Sequence, residues 1–436
     1  MPWQVLSKKS RISQNSLPRP PAREHDKAVP AHSADFRLLF ASRMLRLFAC
    51  GFLAVVLALY LSALGFNETR IGLLLTLTFL GDAAISLGLS TRADRWGRRR
   101  TLLMGAALVV LGGAGMAWTD NFLLLAIATT IGVISPTGAE VGPFLAVEQA
   151  CLAHVIDDRE RTRIFAWYHV AGFTASAFGA AGGGALASAL QHAGWSVVAS
   201  YRALFWLYAA VGVALALLSR RLGPAVEVHA PGERTGPVVN LLGLHASRSL
   251  VFRLSGLFAV DAFAGGFIVQ SFLAYWFHKK FGADIASLGA IFFGANLLSG
   301  LSALAAAPLA RRFGLVNTMV WTHLPSNVLL TLVPLMPTLG GAITVLLARQ
   351  TISQMDVPTR QSYVNAVVPA AERSAANGVT GTARQLGAAF APLLAGPLLG
   401  SAGLASMPFF ISGSLKILYD LALWKNFRAI KPPEEK

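Results

Sequence analysis

Apolar runs of roughly 20 residues, long enough to cross a bilayer as a helix, recur from near residue 36 to near residue 424. Short polar, arginine-bearing segments separate them. The runs are continuously apolar and lack the two-residue alternation of a membrane barrel. Lipid offers no partner to backbone N–H and C=O groups, so each run must be helical. The pattern predicts helices near 38–65, 70–91, 100–118, 121–154, 162–190, 198–219, 250–278, 286–308, 315–336, 339–368, 374–400 and 404–424. Two of these, 121–154 and 339–368, exceed one crossing, which predicts tilt or extension past the membrane surface. Pro136, Gly138, Gly142 and Pro143 crowd the first and Pro358 lies in the second, so breaks are expected beside Glu140 and Asp356.

Charge fixes the expected orientation. With twelve crossings both chain ends share a side. Placing them inside puts 30 Lys/Arg in inner segments and only Arg70, Arg202, Lys279 and Lys280 in outer loops. That asymmetry follows the positive-inside rule and predicts a multi-pass inner (cytoplasmic) membrane protein with both termini cytoplasmic. The net charge of +16 therefore reflects topology, and no nucleic-acid partner is expected. Only 13% of residues are charged, about half the fraction of a soluble domain. Cys50 and Cys151 fall in or beside apolar runs and read as packing residues. No metal spacing and no phosphate-binding Walker sequence occurs, so no metal, cofactor or ATP-driven step is expected.

A shift of 212 residues aligns the two halves. Gln149 meets Gln361, Glu160-Arg161 meets Glu372-Arg373, Gly184 meets Gly396, and Gly88-Leu89-Ser90 meets Gly300-Leu301-Ser302. A slightly larger shift brings Gly51-Phe52 and Tyr60 onto Gly266-Phe267 and Tyr275. The expected organisation is a disordered cytoplasmic tail (1–35), a six-helix bundle (36–219), a cytoplasmic linker (220–248), a second bundle (249–425) and a short tail (426–436). Parallel repeats of this kind place a substrate site between the halves near the midplane.

Between the second and third helices the chain reads Ser-Thr-Arg-Ala-Asp-Arg-Trp-Gly-Arg-Arg-Arg from Ser90 to Arg100. This resembles the major facilitator superfamily signature G-x-L-A-D-R-x-G-R-[KR]. Asp94, Arg95, Gly97, Arg98 and Arg99 match it, and Ser90 replaces the first glycine. Ala310-Arg311-Arg312-Phe313-Gly314 is a degraded copy in the second half. Residues 134–150 and 354–373 look like a bacterial, uncharacterised subgroup of that superfamily. The resemblance implies the major facilitator fold: an all-α membrane protein of twelve transmembrane helices in two pseudo-symmetric six-helix bundles. It also implies a cytosolic latch of Asp94, Arg95, Gly97, Arg98 and Glu148. There Asp94 faces the positive N-terminal end of the eleventh helix, and Arg98 pairs with Asp94 and Glu148. Antiporters of the superfamily often carry G-x-x-x-G-P-x-x-G-G in the fifth helix. Here Ala180 replaces that proline, while Pro392 keeps it in the eleventh.

Ionisable residues at membrane depth are costly and mark function by default. Asp82, Glu140, Asp261 and Asp356 are candidates for proton coupling, Asp261 and Glu140 foremost, because coupling requires a carboxylate that exchanges a proton near neutral pH. Arg349, Arg384, Gln270, Tyr60, Asn296 and Asn327 are candidates for the substrate cavity. The alternative for each cation is simple neutralisation of a nearby acid, and Lys416 and Asp420, four apart, can pair on one helix face. The expected activity is secondary active transport of a small molecule by alternating access, proton-coupled and outward, by a monomer in a lipid bilayer. The competing readings are proton-coupled uptake, or a membrane sensor or enzyme on the same fold. Polar residues spread over both halves favour a central pathway over an enzyme site at one face.

Overall fold

A computed structural model describes residues 34–139, 142–155, 161–227, 244, 247–369, 372–430 and 432. The expected disordered tail lies almost wholly outside these residues, as do most of the expected linker and the chain's last residues. Twelve spans follow one another: span 1 (Ala34–Ala63), span 2 (Glu68–Ser90), span 3 (Arg98–Trp118), span 4 (Phe122–Ile131 and Phe144–Val155), span 5 (Arg161–His192) and span 6 (Val197–Arg220). The second half repeats the series: span 7 (Arg248–Gly266 and Gln270–Phe281), span 8 (Ile285–Phe313), span 9 (Leu315–Leu332), span 10 (Leu339–Gln350 and Asp356–Val367), span 11 (Arg373–Gly400) and span 12 (Met407–Phe427).

Spans 4 and 10 are each two shorter helices rather than one overlong one. The break of span 4 coincides with its glycines and prolines, and that of span 10, at residues 351–355, ends at Asp356, with Pro358 in the first turn of the second piece. Gly138 and Gly142 take left-handed backbone, with φ of +70° and +76°. Val133 does so too, at φ +51°, a conformation a β-branched residue adopts only under strain. The break in span 7, at residues 267–269, was not expected; Gly265-Gly266 precedes it and weakens the helix there. Several helix starts at the end opposite the arginine-rich loops carry their own caps. Asp284 accepts the Ser287 N–H at 2.6 Å, and that backbone hydrogen bond is the main cause holding its pKa below the ordinary carboxylate value.

Small residues set how closely the helices approach. A methyl group on Gly51 would lie 2.1 Å from the Ser176 carbonyl oxygen, and one on Gly266 would lie 2.6 Å from that of Ala388. Span 1 thus packs on span 5 as span 7 packs on span 11, in register with the repeat. Spans 3 and 6, and 9 and 12, pair behind them. Large apolar side chains such as Trp118, 80% exposed, and Leu418 face outward, where lipid covers them.

The halves meet through two further close approaches at one end of the molecule. Gly184 of span 5 lies against Gly289 and the Ile285 carbonyl of span 8, which a methyl group would approach to 2.6 Å. Gly396 of span 11 lies against Gly72 and the Glu68 carbonyl of span 2, at 2.3 Å from such a methyl. Glu68 reinforces this seal by accepting from the Tyr275 hydroxyl at 2.8 Å and pairing with Lys279, which also donates to the Leu399 carbonyl. Tyr275, 8% exposed, therefore packs between the halves, while Trp276, 2% exposed, packs within the second half on Phe277, Phe281 and Phe409. The sealed end is opposite the arginine-rich loops. Backbone at Glu68 cannot yield to a side chain, so Gly396→Val should part this end. The expected result is a several-fold rise in labelling of an Asn296→Cys probe by a membrane-impermeant thiol reagent applied to the sealed side. Unchanged labelling would show that this glycine contact does not hold the seal.

Candidate transport pathway

Two buried ionic clusters lie at membrane depth, one in each half. In the first, Glu148 at the second piece of span 4 is fully buried. Arg46 of span 1 grips it with both terminal nitrogens, each at 2.8 Å. Ser42 donates to it at 2.7 Å, and the Tyr168 hydroxyl of span 5 donates as well. Span 1 begins at Ala34, so Arg46 lies about 18 Å along the helix, not in an inner loop. The Arg46 guanidinium also stacks 4.5 Å from the Phe144 ring centroid, and that of Arg43 lies 4.2 Å from the Tyr168 ring.

The second cluster centres on Asp261 of span 7, 3% exposed. Lys416 of span 12 donates to Oδ1 at 2.6 Å. Arg384 of span 11 and Arg360 of span 10 donate to Oδ2 at 3.0 and 3.4 Å. Arg360 also pairs with Asp356 at 2.8 Å, one helical turn away. Behind them, Asp420 of span 12 is held by His323 and Asn327 of span 9, both at 2.9 Å. Lys416 and Asp420 thus serve different partners, not each other.

Aligning the halves shows a relation between the clusters. The shift of 215 that carries Gly51 to Gly266 carries Arg46 to Asp261, and the shift of 212 carries Glu148 to Arg360. Both halves therefore join their first and fourth spans by a buried ion pair at the same place, with signs exchanged.

The breaks in spans 4 and 7 touch each other across the halves. The Pro136 carbonyl accepts both the backbone N–H and the hydroxyl of Ser271, at 3.0 and 2.9 Å. Beside it, Asn296 of span 8 donates to Ser176 of span 5 at 3.4 Å, and Ser176 donates to the Gly138 carbonyl at 2.8 Å. On the arginine-rich side of this floor the halves part around a cavity of about 660 Å³. Spans 4 and 5 line it with Gln149, His169 and Phe173, and spans 8 and 10 with Leu304, Gln354 and Gln361.

Several expected site residues stand elsewhere. Tyr60 is wholly buried, donates to the Met116 carbonyl at 2.6 Å and packs on Phe205 inside the first half, away from the cavity. Asp82 accepts the Gly142 N–H and so caps the second piece of span 4 rather than facing the pathway. Asn327 is consumed by Asp420. Gln270 sits at the break of span 7 beside Gly138, and Arg349 lies at the end of the first piece of span 10. Glu140 lies outside the described residues. The expected Arg98–Glu148 pair is replaced by Arg46–Glu148. Arg98 donates instead to the Ala150 and Val226 carbonyls at 3.2 and 3.4 Å. The Arg98 and Arg99 N–H groups reach the Glu227 carboxylate at 2.8 and 3.1 Å, which caps span 3. These contacts bind the signature loop to its own half and the linker, not to span 11; Arg95 is exposed, and the Asp94 side chain is outside the described set. Gly97 has a firm local reason: φ is +96°, as it is +85° at Gly314 in the equivalent turn. Arg46, Ser42 and Tyr168 were not foreseen as a site, although an arginine flanked by apolar runs was the available signal.

Two six-helix halves around a polar midplane, sealed at one end and parted at the other, define a transporter fold. The chain matches the Major Facilitator Superfamily over residues 39–348 and again over 256–436, and it belongs to that family. An uncharacterized membrane protein of Saccharomyces cerevisiae is 30% identical over 419 residues, covering 90% of this chain and 93% of the relative. That source is a yeast, so the bacterial subgroup read from the sequence does not follow from it. Among solved structures, the nucleoside transporter NupG superposes with a TM-score of 0.70 at 15% identity, covering 90% of this chain and 98% of that one. The D-xylose-proton symporter gives 0.67 at 16%, covering 92% and 98%.

Removing one partner of the first-half pair leaves a buried charge alone, which costs about 3–5 kcal/mol. Arg46→Met or Glu148→Leu should therefore lower the unfolding free energy of the purified protein by that amount, and the double replacement should recover most of it. Single variants as stable as the parent would show that water reaches the pair.

Proposed function

We propose that the protein is a secondary active transporter that exports a small molecule by alternating access, driven by a proton gradient. The observation that carries this reading is the asymmetry of the inter-half contact: glycine-on-glycine closure at one end, a cavity of about 660 Å³ at the other, and a hydrogen-bonded floor between them. Such a state loads from the open side and releases after the halves rock about the floor.

The open side is assigned to the cytosol of an inner (cytoplasmic) membrane, with both termini there and the protein acting as a monomer. Arg43, Arg46 and Arg360 are buried within the halves; taking these three from the thirty inner cations leaves twenty-seven against four, so the positive-inside argument holds. The signature loop, with Asp94, Arg95, Gly97 and Arg98, is assigned to latch onto span 11 in the opposite state.

Asp261 is assigned as a proton carrier because it ties span 7 to spans 10, 11 and 12 at once. The carboxylate takes up a proton as Lys416, Arg384 and Arg360 withdraw from it, and loss of their common anion frees span 7 to move. Glu140 is the second candidate. The test is proton flux and solute movement in reconstituted vesicles across a compound panel. The expected outcome is solute movement against a proton gradient. Asp261→Asn and Glu140→Gln should lose gradient-driven accumulation while solute exchange at equilibrium persists. Solute moving in the same direction as protons would replace export with uptake. No movement of any compound, with no proton flux, would sink the transport reading.

A further inference from the structure

Every carboxylate described within the spans is already engaged. Glu148 is held by Arg46, Asp261 by Lys416 and two arginines, Asp356 by Arg360 and Asp420 by His323, while Asp82 caps a helix. The cations are not matched in the same way. Arg349 has one described hydrogen bond, a long one of 3.4 Å to Gln350 Oε1, and its buried Nε has no partner. No described carboxylate pairs with it. Arg384 contributes one nitrogen to Asp261 and leaves 31% of its side chain exposed, the most open of the cations around that acid. Among the described residues the cavity lining contains no carboxylate, and the titratable group there, His169, lies 3.4 Å from an Arg43 nitrogen. Glu140 is not part of this count.

A guanidinium at membrane depth that no described carboxylate contacts is costly, and an anion bound directly to it would lower that cost. Among the described residues a cationic solute would meet several like charges and no carboxylate that is not already held by a cation, a histidine or a backbone N–H. A neutral solute would leave Arg349 as it is. From this we infer that the solute is an organic anion, a carboxylate, sulfonate or phosphate ester. Its charged group is received by Arg349 and Arg384, which stand on spans 10 and 11. The inference rests on the pathway assigned above. Arg384 supplies free N–H groups in the planar fork that matches an oxyanion.

The experiment measures binding without any gradient, so its failure is distinct from failure of transport. The probes are 2-naphthoate, 2-naphthamide and 2-naphthamidine, which share one ring system and carry negative, neutral and positive charge. Each is titrated onto the purified full chain, with saturable stabilisation against thermal unfolding as the readout. The naphthoate should bind at least about tenfold tighter than the other two, the size expected of one charge-assisted hydrogen bond. Arg384→Gln and Arg349→Gln should each weaken it by about tenfold. Because Arg349 has no acid partner, unliganded Arg349→Gln should unfold at the same temperature as the parent or higher, which keeps the test readable if Arg384→Gln misfolds. The inference is overturned if the amide or amidine binds as well as the naphthoate, if none of the three binds, or if both variants keep full naphthoate affinity. Selective naphthoate binding without flux in vesicles would retain the charge assignment and remove the transport reading.

Discussion

The constraint on which this structure turns is that a charge in the bilayer interior must be met by another charge. Hydration is not available there, and an isolated ion costs several kcal/mol even after local relaxation. The protein answers by using ion pairs as joints between helices. Arg46–Glu148 locks span 1 to span 4, and Tyr168 extends the joint to span 5. Asp261 gathers spans 10, 11 and 12 around span 7. Each half is therefore a block whose interior resists shear, and the softest surface in the molecule is the one between the blocks.

That softness is graded along the pathway. At the sealed end, glycine backbone meets backbone with no side chain between. At the floor, the broken helices expose carbonyls that a continuous helix would consume internally, and Ser271 and Ser176 use them. Breaking a helix at membrane depth is tolerable only where protein or a water-lined cavity satisfies the freed groups. The strained backbone of Val133 marks the same place. Its carbonyl accepts the Tyr208 hydroxyl at 2.6 Å, so the span 4 break is held from span 6 as well as from span 7.

Much of the architecture was readable from residue order. The spans followed from run length, and the breaks of spans 4 and 10 followed from proline and glycine inside runs too long for one crossing. The repeat showed in Gly184 and Gly396, which turn out to perform the same closure in opposite halves. The site was less legible because hydropathy says that a charge is buried but not which neighbour it meets. Arg46 fell within the predicted helix near 38–65 yet was counted with the inner basic residues, since a lone arginine near the edge of an apolar run gives no sign of which buried acid it meets. Tyr60 and Asp82 were polar residues in apolar helices, yet a carbonyl and a helix N-terminus inside the first half claimed them. Lys416 and Asp420 had the spacing of a local pair, and tertiary partners on spans 7 and 9 overrode it.

The exchanged signs of the two ion pairs constrain how the halves diverged after one became two. An intermediate with only one member reversed would place like charges in contact where no solvent can separate them. The route between the two arrangements therefore passed through a form in which that position carried no charge, or in which a third group lent its own. The ring of additional basic residues around Asp261 is the kind of neighbourhood in which such a substitution is survivable, whereas the pair at Glu148, closed in by Ser42 and Tyr168, leaves it little room.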